Sequence, residues 1–193
     1  MIETLPKDPM SAIEALHTRS SSSRLTEPGP SPASLSYICK SALRAADHGL
    51  IRPWRFLIIE SESRIKLGEL FLKASLAKTP NLESQQKEKI KTKALRAPTI
   101  IVAIASPQNH PKVPVIEQEY STAAAVQNMS LTAYALGVGS VWRTGAFAYD
   151  KLVHQGLGLE KNEKIIGFLY IGTRSGPIKP LVELDPADYF KAW

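Results

Sequence analysis

The sequence predicts an α+β fold, with few strands and several long helices. Three observations carry this. Apolar runs of strand length stand at 98–105 and 164–171, with a shorter aromatic and β-branched run at 54–59. Helical periodicity fills most of the chain between them. The order helix, helix, strand, helices, strand, long helix, strand, strand is not the regular alternation that winds a parallel sheet.

Each element has a local reason. Residues 1–10 form an N-terminal extension, and 11–193 supply one domain's worth of chain. Ser11-Ala12-Ile13-Glu14 has capping-box spacing, so a helix starts there and runs to about Thr18. Thr26-Glu27-Pro28-Gly29-Pro30 reads as a turn. Ser31-Pro32 suits an N-cap followed by the first helical residue. The helix after it carries Leu35, Ile38, Cys39, Ala42, Leu43 and Ala46 on one apolar face and ends near Asp47-His48-Gly49. Helices follow at 62–78 and 82–95, broken at Thr79-Pro80. The unbroken run at 98–105 predicts a strand buried on both faces. A long helix at 117–136 is rich in small residues and stops at Gly137-Val138-Gly139. A short strand at 140–142, a helix at 149–157 and a strand at 164–171 complete the core. The proline-rich tail after Gly172 is expected to lie extended over a surface.

Composition narrows the function classes. The 24 basic and 18 acidic residues give a net charge of +6, which permits nucleic acid, a membrane surface or a phosphorylated cofactor as partner. A single cysteine, Cys39, excludes an internal disulfide, and its place on an apolar helix face marks it as a core residue. His17, His48, His110 and His154 lie far apart, so no metal site is expected. No apolar run reaches the roughly 20 residues of a membrane span, and the N-terminus lacks a secretory core. A cytoplasmic setting is expected. Lys87, Lys89, Lys91 and Lys93 alternate on a predicted helix without interleaved aromatics, so they read as a solvated face and not a nucleic-acid groove. Glu117 and Glu119 open the long helix, where they complement its dipole. There is no GxGxxG, no GxxxxGK[ST] and no GxSxG.

Arg19-Ser20-Ser21-Ser22-Ser23-Arg24 brings two guanidiniums and four hydroxyls together. Taken alone it is open between a polar linker and a phosphate-wrapping loop. Further along stand Arg44-Ala45-Ala46-Asp47-His48, then Arg52-Pro53-Trp54-Arg55-Phe56. After the long helix come Gly137-Val138-Gly139-Ser140-Val141-Trp142-Arg143-Thr144-Gly145 and Ile166-Gly167-Phe168-Leu169-Tyr170-Ile171-Gly172-Thr173. In this order and at these separations, the segments resemble the FMN-dependent nitroreductase family, closest to its small YdjA-type branch. The resemblance covers roughly residues 11–172.

The resemblance implies a small mixed β-sheet flanked by helices and an intertwined homodimer with FMN at the subunit interface. It implies that Arg19, Ser20 and Ser21 contact the phosphate and ribityl chain, with Arg174 compensating for serines where the family is often basic. Arg44 and His48 match cofactor-contacting positions. Trp142, Arg143 and Thr144 match the stretch that lies against the isoalloxazine ring, where a backbone N–H can meet N5. Thr132, Ala133, Tyr134, Ala135, Leu136 and Gly137 align with a stretch linked to the nicotinamide cofactor. Arg52 stands where the family often has glutamine, either adding charge near the flavin or pointing away. The implied enzyme passes hydride from NAD(P)H through FMN to a nitroaromatic, quinone or other electron-poor acceptor in a ping-pong scheme. No side chain acts as a catalytic acid or nucleophile, since the flavin carries the chemistry. Residues around 75–95 are expected to cover the pocket. Another flavin reaction, such as dehalogenation or dehydrogenation, is the alternative, and a basic nucleic-acid-binding module is the third.

Overall fold

The fold was analysed in a computed structural model that describes residues 9–178 and 180–193. Most of the predicted N-terminal extension, residues 1–8, lies outside the described residues. Five strands form the sheet: β1 (Leu25–Thr26), β2 (Trp54–Glu60), β3 (Thr99–Ala105), β4 (Gly139–Arg143) and β5 (Lys164–Arg174). The order runs β2-β3-β5, with β4 on the far side of β5 and β1 pairing with its C-terminal end. Every one of these pairings is antiparallel. The resemblance implied a mixed sheet, and in this respect the chain differs. A parallel pair needs a long crossover between neighbouring strands, and here each neighbour enters β5 from the opposite direction.

Six helices flank the sheet: α1 (Ala12–Thr18), α2 (Pro32–Ala42), α3 (Glu62–Lys78), α4 (Ser84–Lys91), α5 (Val115–Ala135) and α6 (Lys151–Gly156). The two serine caps form as their spacing requires. Ser11 accepts from the Glu14 N–H and Ser31 from the Ser34 N–H. α2 ends at Ala42, earlier than expected, because the N–H groups of Leu43, Arg44 and Ala45 bond carbonyls three residues back, tightening the chain into a turn; Leu43, expected on the apolar face, is 61% exposed. β1 was not expected at all. It exists only through long-range pairing, Leu25 with Arg174 and Thr26 with Thr173.

Two cores sandwich β3. Ile100, Val102 and Ile104 face the cluster built with Leu67 and Phe71 of α3, while Ile101 and Ala103 face Ile38 of α2 and Met129 of α5. This alternation follows from side chains pointing to opposite faces along a strand, and it buries β3 completely, as the unbroken apolar run predicted. The buried face of α5 mixes small residues, Ser121, Thr122, Ala125, Ser130 and Ala133, with the larger Gln118, Val126 and Met129. The polar members are satisfied, Thr122 donating to the Pro53 carbonyl and Ser130 bonding Ser140.

A β-bulge shapes β5. Ala103 pairs with Gly167 but Ile104 pairs with Ile165, leaving Ile166 as the extra residue. The bulge lets Ile165 and Phe168 share one face despite their odd spacing. Trp142 crosses here, its indole N–H donating to the Ile166 carbonyl at 3.3 Å. A Cβ on Gly167 would stand 2.0 Å from that indole nitrogen, so glycine is required at this crossing.

Candidate functional site

β4 is an edge strand, and its outer edge organises the site. The Ser140 carbonyl accepts from the Ser22 N–H at 2.8 Å, on the side away from β5. Backbone groups alternate sides along an antiparallel strand, so Trp142, two residues on, presents its N–H and carbonyl along that same outer edge. Thr144 and Gly145 follow, Gly145 at φ +85°, with nothing within 4 Å of where a Cβ would stand. That conformation favours glycine and keeps the strand end open.

A basic cavity lies at each end of β4. The first, about 240 Å³, is lined by Ser20 to Arg24 and by Arg174 to Ile178. Pairing of β1 with β5 and the Ser22–Ser140 bond bring these two segments together. The Arg174 guanidinium packs 5.3 Å over the Tyr134 ring. Ser20, Ser21 and Arg174 thus line one cavity. Arg24 joins them, a residue in the same run that had not been singled out, and supplies a second guanidinium. Arg19 caps the end of α1 and does not line this cavity.

The second cavity, about 610 Å³, lies beneath the end of β4. Arg143, Thr144 and Gly145 line it together with Ser75 and Lys78 of α3 and Ile90 of α4. The segment around 75–95 does border this space. At β4's rise of ~3.3 Å per residue, its two ends stand about 13 Å apart, so a ligand gripped at both is elongated.

Arg44 and His48 line neither cavity. His48 Nδ1 lies 2.7 Å from Glu117 Oε2, and both side chains are solvent-exposed. Glu119 reaches Lys164 at 2.6 Å, so these two acids serve side-chain pairs beyond the helix dipole. The loop between Arg44 and β2 is strained. Gly49, Leu50 and Arg52 all have φ near +50 to +76°, and Asp47 Oδ1 is buried without a partner. Such strain clusters where surrounding structure or a ligand holds it. Among the stretch 132–137, Ala133 is fully buried in the core, whereas Tyr134 borders Arg174.

One expectation about charge needs correction. Lys93 is no solvated surface lysine. It is half-buried, its Nζ sits 4.9 Å over the Phe147 ring, and burial together with Arg96 and Lys89 lowers its pKa. α4 ends at Lys91 and the chain tightens into a 3₁₀ turn over Thr92–Leu95. Lys93 stands three residues after Ile90, so the two side chains reach the same side of the chain and both border the cavity beneath β4. Cys39, expected in the core, is only partly buried and lies outside both core clusters; burial, then the Glu60 carboxylate, still pushes its thiol pKa up.

Known proteins share this architecture. Residues 16–173 match the family described as the Nitroreductase family. The protein named "Putative NAD(P)H nitroreductase YdjA" of Escherichia coli K12 is 37% identical over 164 residues, 85% of this chain and 88% of its own length. The crystal structure of a nitroreductase-like family protein from Bacillus cereus superposes with a TM-score of 0.82 at 22% identity, over 97% of this chain and 98% of its own. A mutant of NfnB from Sphigopyxis, described as an FMN and NADPH-dependent nitroreductase, superposes with a TM-score of 0.76 at 18% identity, over 95% and 99%. With a family match across most of the chain, a relative above one-third identity and the fold in common, this chain belongs to the nitroreductase family of oxidoreductases.

Proposed function

We propose that the protein is an FMN-dependent NAD(P)H reductase whose flavin lies along the outer edge of β4. One observation carries this reading: an open strand edge joins two basic cavities, the smaller suited to a phosphate and the larger to a ring. The residues present fit the group. Two guanidiniums and several serine hydroxyls converge on the small cavity, and guanidinium forks with neutral donors match phosphate oxygens. Arg143 Nε is buried with no hydrogen-bond partner, a donor in search of an acceptor.

Each residue then has a task. Ser20, Ser21, Arg24 and Arg174 hold the phosphate, with Arg19 beside them. The Trp142 backbone and Thr144 present polar groups to the ring edge, and Arg143 places positive charge beneath it. A nearby cation favours the reduced, anionic ring. When bound, FMN supplies hydride acceptance from NAD(P)H and hydride donation to a nitroaromatic, quinone or other electron-poor acceptor, in two half-reactions.

The working unit in this reading is a homodimer. Arg44 and His48 stand away from their own chain's cavities, and two chains related by symmetry allow them to reach the partner's flavin. The surface supports a second copy. Ile13 and Leu16 of α1, Val115 and Tyr120 of α5, and Leu184 and Phe190 of the tail are exposed. Apolar surface of this extent marks an interaction site. In this reading the nicotinamide cofactor meets the 132–137 stretch through its accessible members, with Tyr134 beside Arg174 of the phosphate cavity and Ala133 buried behind it. Among the described residues no helix is long and apolar enough to cross a membrane.

Anaerobic stopped-flow mixing of the flavin-loaded protein with NADH or NADPH tests the reading. The flavin bands should bleach, then return on addition of a nitroaromatic or quinone. Bound flavin that neither nucleotide reduces would overturn it. Reduction without reoxidation by any such acceptor would favour another flavin reaction.

A further inference from the structure

The cavity beneath β4 carries more positive charge than a flavin ring needs. Lys93, Arg96 and Arg143 line it, and none forms an ion pair with a carboxylate of a described residue. The one acid in the wall, Asp150, is already held by Lys78 and by the Leu152 and Val153 N–H groups. Unpaired cations this close repel one another, and Arg96 helps lower the Lys93 pKa. Four aromatic rings, those of Phe71, Phe147, Phe168 and Tyr170, also border it. Phe71 and Phe147 stack at 4.2 Å and 12°, and Phe168 meets Phe71 edge-on at 5.6 Å. Tyr170, nearly buried, lies beneath the Arg143 guanidinium. A wall of aromatic rings bearing unpaired cations complements a planar ligand that carries a negative charge.

Resting on the flavin reading, we propose that the part of this cavity beside the flavin ring binds the oxyanion of a planar ligand. Lys93 and Arg96 meet the charge, Arg143 staying with the flavin, and the half-buried Phe147 ring meets the flat body. The protein would thus prefer acidic aromatic acceptors over their neutral isosteres. The same oxyanion chemistry has a second source, the 2′-phosphate of NADPH, and the experiment separates the two.

Calorimetric titrations of the flavin-loaded protein use benzoate, benzamide and adenosine 2′-monophosphate, repeated with the flavin-free protein. Benzoate is expected to bind about tenfold more tightly than benzamide, with an affinity that falls as salt rises. Lys93→Gln and Arg96→Gln should each weaken benzoate about threefold to tenfold and shrink its preference over benzamide. If these variants instead weaken adenosine 2′-monophosphate and leave the benzoate preference intact, the oxyanion site stands and the nucleotide is its source. Equal binding of benzoate and benzamide, with neither anion affected by the variants, overturns the proposal. Benzoate binding by a protein that takes up no FMN keeps the oxyanion site and sinks the flavin reading.

Discussion

The two outer strands of the sheet treat arginine in opposite ways. On β2, Arg55 meets Glu163 through two hydrogen bonds, at 2.7 and 2.6 Å, and also donates to the Gly158 carbonyl. Glu163 is 3% exposed and accepts the Glu160 N–H as well. On β4, Arg143 packs over Tyr170 with its Nε buried and unpartnered. The first arrangement pairs guanidinium and carboxylate in a two-pronged bond within the chain, as structural charge does. The second leaves charge open toward a cavity, which costs stability and makes sense where a ligand completes it.

Removing Glu163 breaks the closed side most directly. Glu163→Ala should cost about 2–3 kcal/mol in urea unfolding, because the Arg55 guanidinium and the Glu160 N–H lose their acceptor together. An unchanged unfolding midpoint would mean the pair contributes nothing net. Acid should have a similar effect. The Arg55 hydrogen bond, outweighing burial, holds the Glu163 carboxyl at about 2, against about 4.3 in an unfolded chain. The folded state therefore binds fewer protons between these values. The stabilisation is full above about pH 4.5 and is lost as pH falls toward 2, by about 2 kcal/mol. Glu163→Gln should flatten that acid limb of the stability profile.

The open side should respond with the opposite sign. Arg143→Met should leave stability unchanged or raise it by about 0.5–1 kcal/mol, since an unpartnered buried donor disappears. It should also weaken FMN about tenfold in a fluorescence titration. A large stability loss with FMN binding intact would make Arg143 structural, like Arg55. The smallest effect belongs to an intermediate case. Lys78 pairs with Asp150, but the lysine is 64% exposed and the acid 5%. Burial pushes the Asp150 carboxyl up, and Lys78 with two backbone N–H groups outweighs it to hold the pKa below its usual value. Because the backbone bonds remain and solvent screens the lysine, Lys78→Met should cost only about 0.5 kcal/mol by thermal unfolding.

The contrast between these edges marks what sequence can and cannot convey. Ser11 and Ser31 announced their helices because capping depends on a few consecutive residues. β3 announced itself because burial on both faces requires an unbroken apolar run. β1 was illegible, since two residues form a strand only when Arg174 and Thr173 arrive from far along the chain. Ser20, Ser21 and Arg174 were readable as a set through family resemblance, and they do share a cavity. Arg24 gave the same local signal as its neighbours; which residue of that run faces the pocket depends on the Ser22–Ser140 bond. Lys93 stands three residues after Ile90, a spacing that places both on one side, but only the fold shows that this side meets a cavity; Arg96 lies past the predicted helix, where no periodicity assigns a side. Arg55 and Glu163 are 108 residues apart, so neither edge's charge balance could be read from spacing.

If the open charge along β4 holds a flavin, that binding can be read directly. Titration of the purified, flavin-stripped protein with FMN tests it most directly. The account predicts saturable binding of one FMN per chain, quenching of flavin fluorescence, and an affinity that drops in Arg143→Met but not in Glu163→Gln. A protein that takes up no FMN, or that loses it only when the β2 pair is broken, would contradict the account.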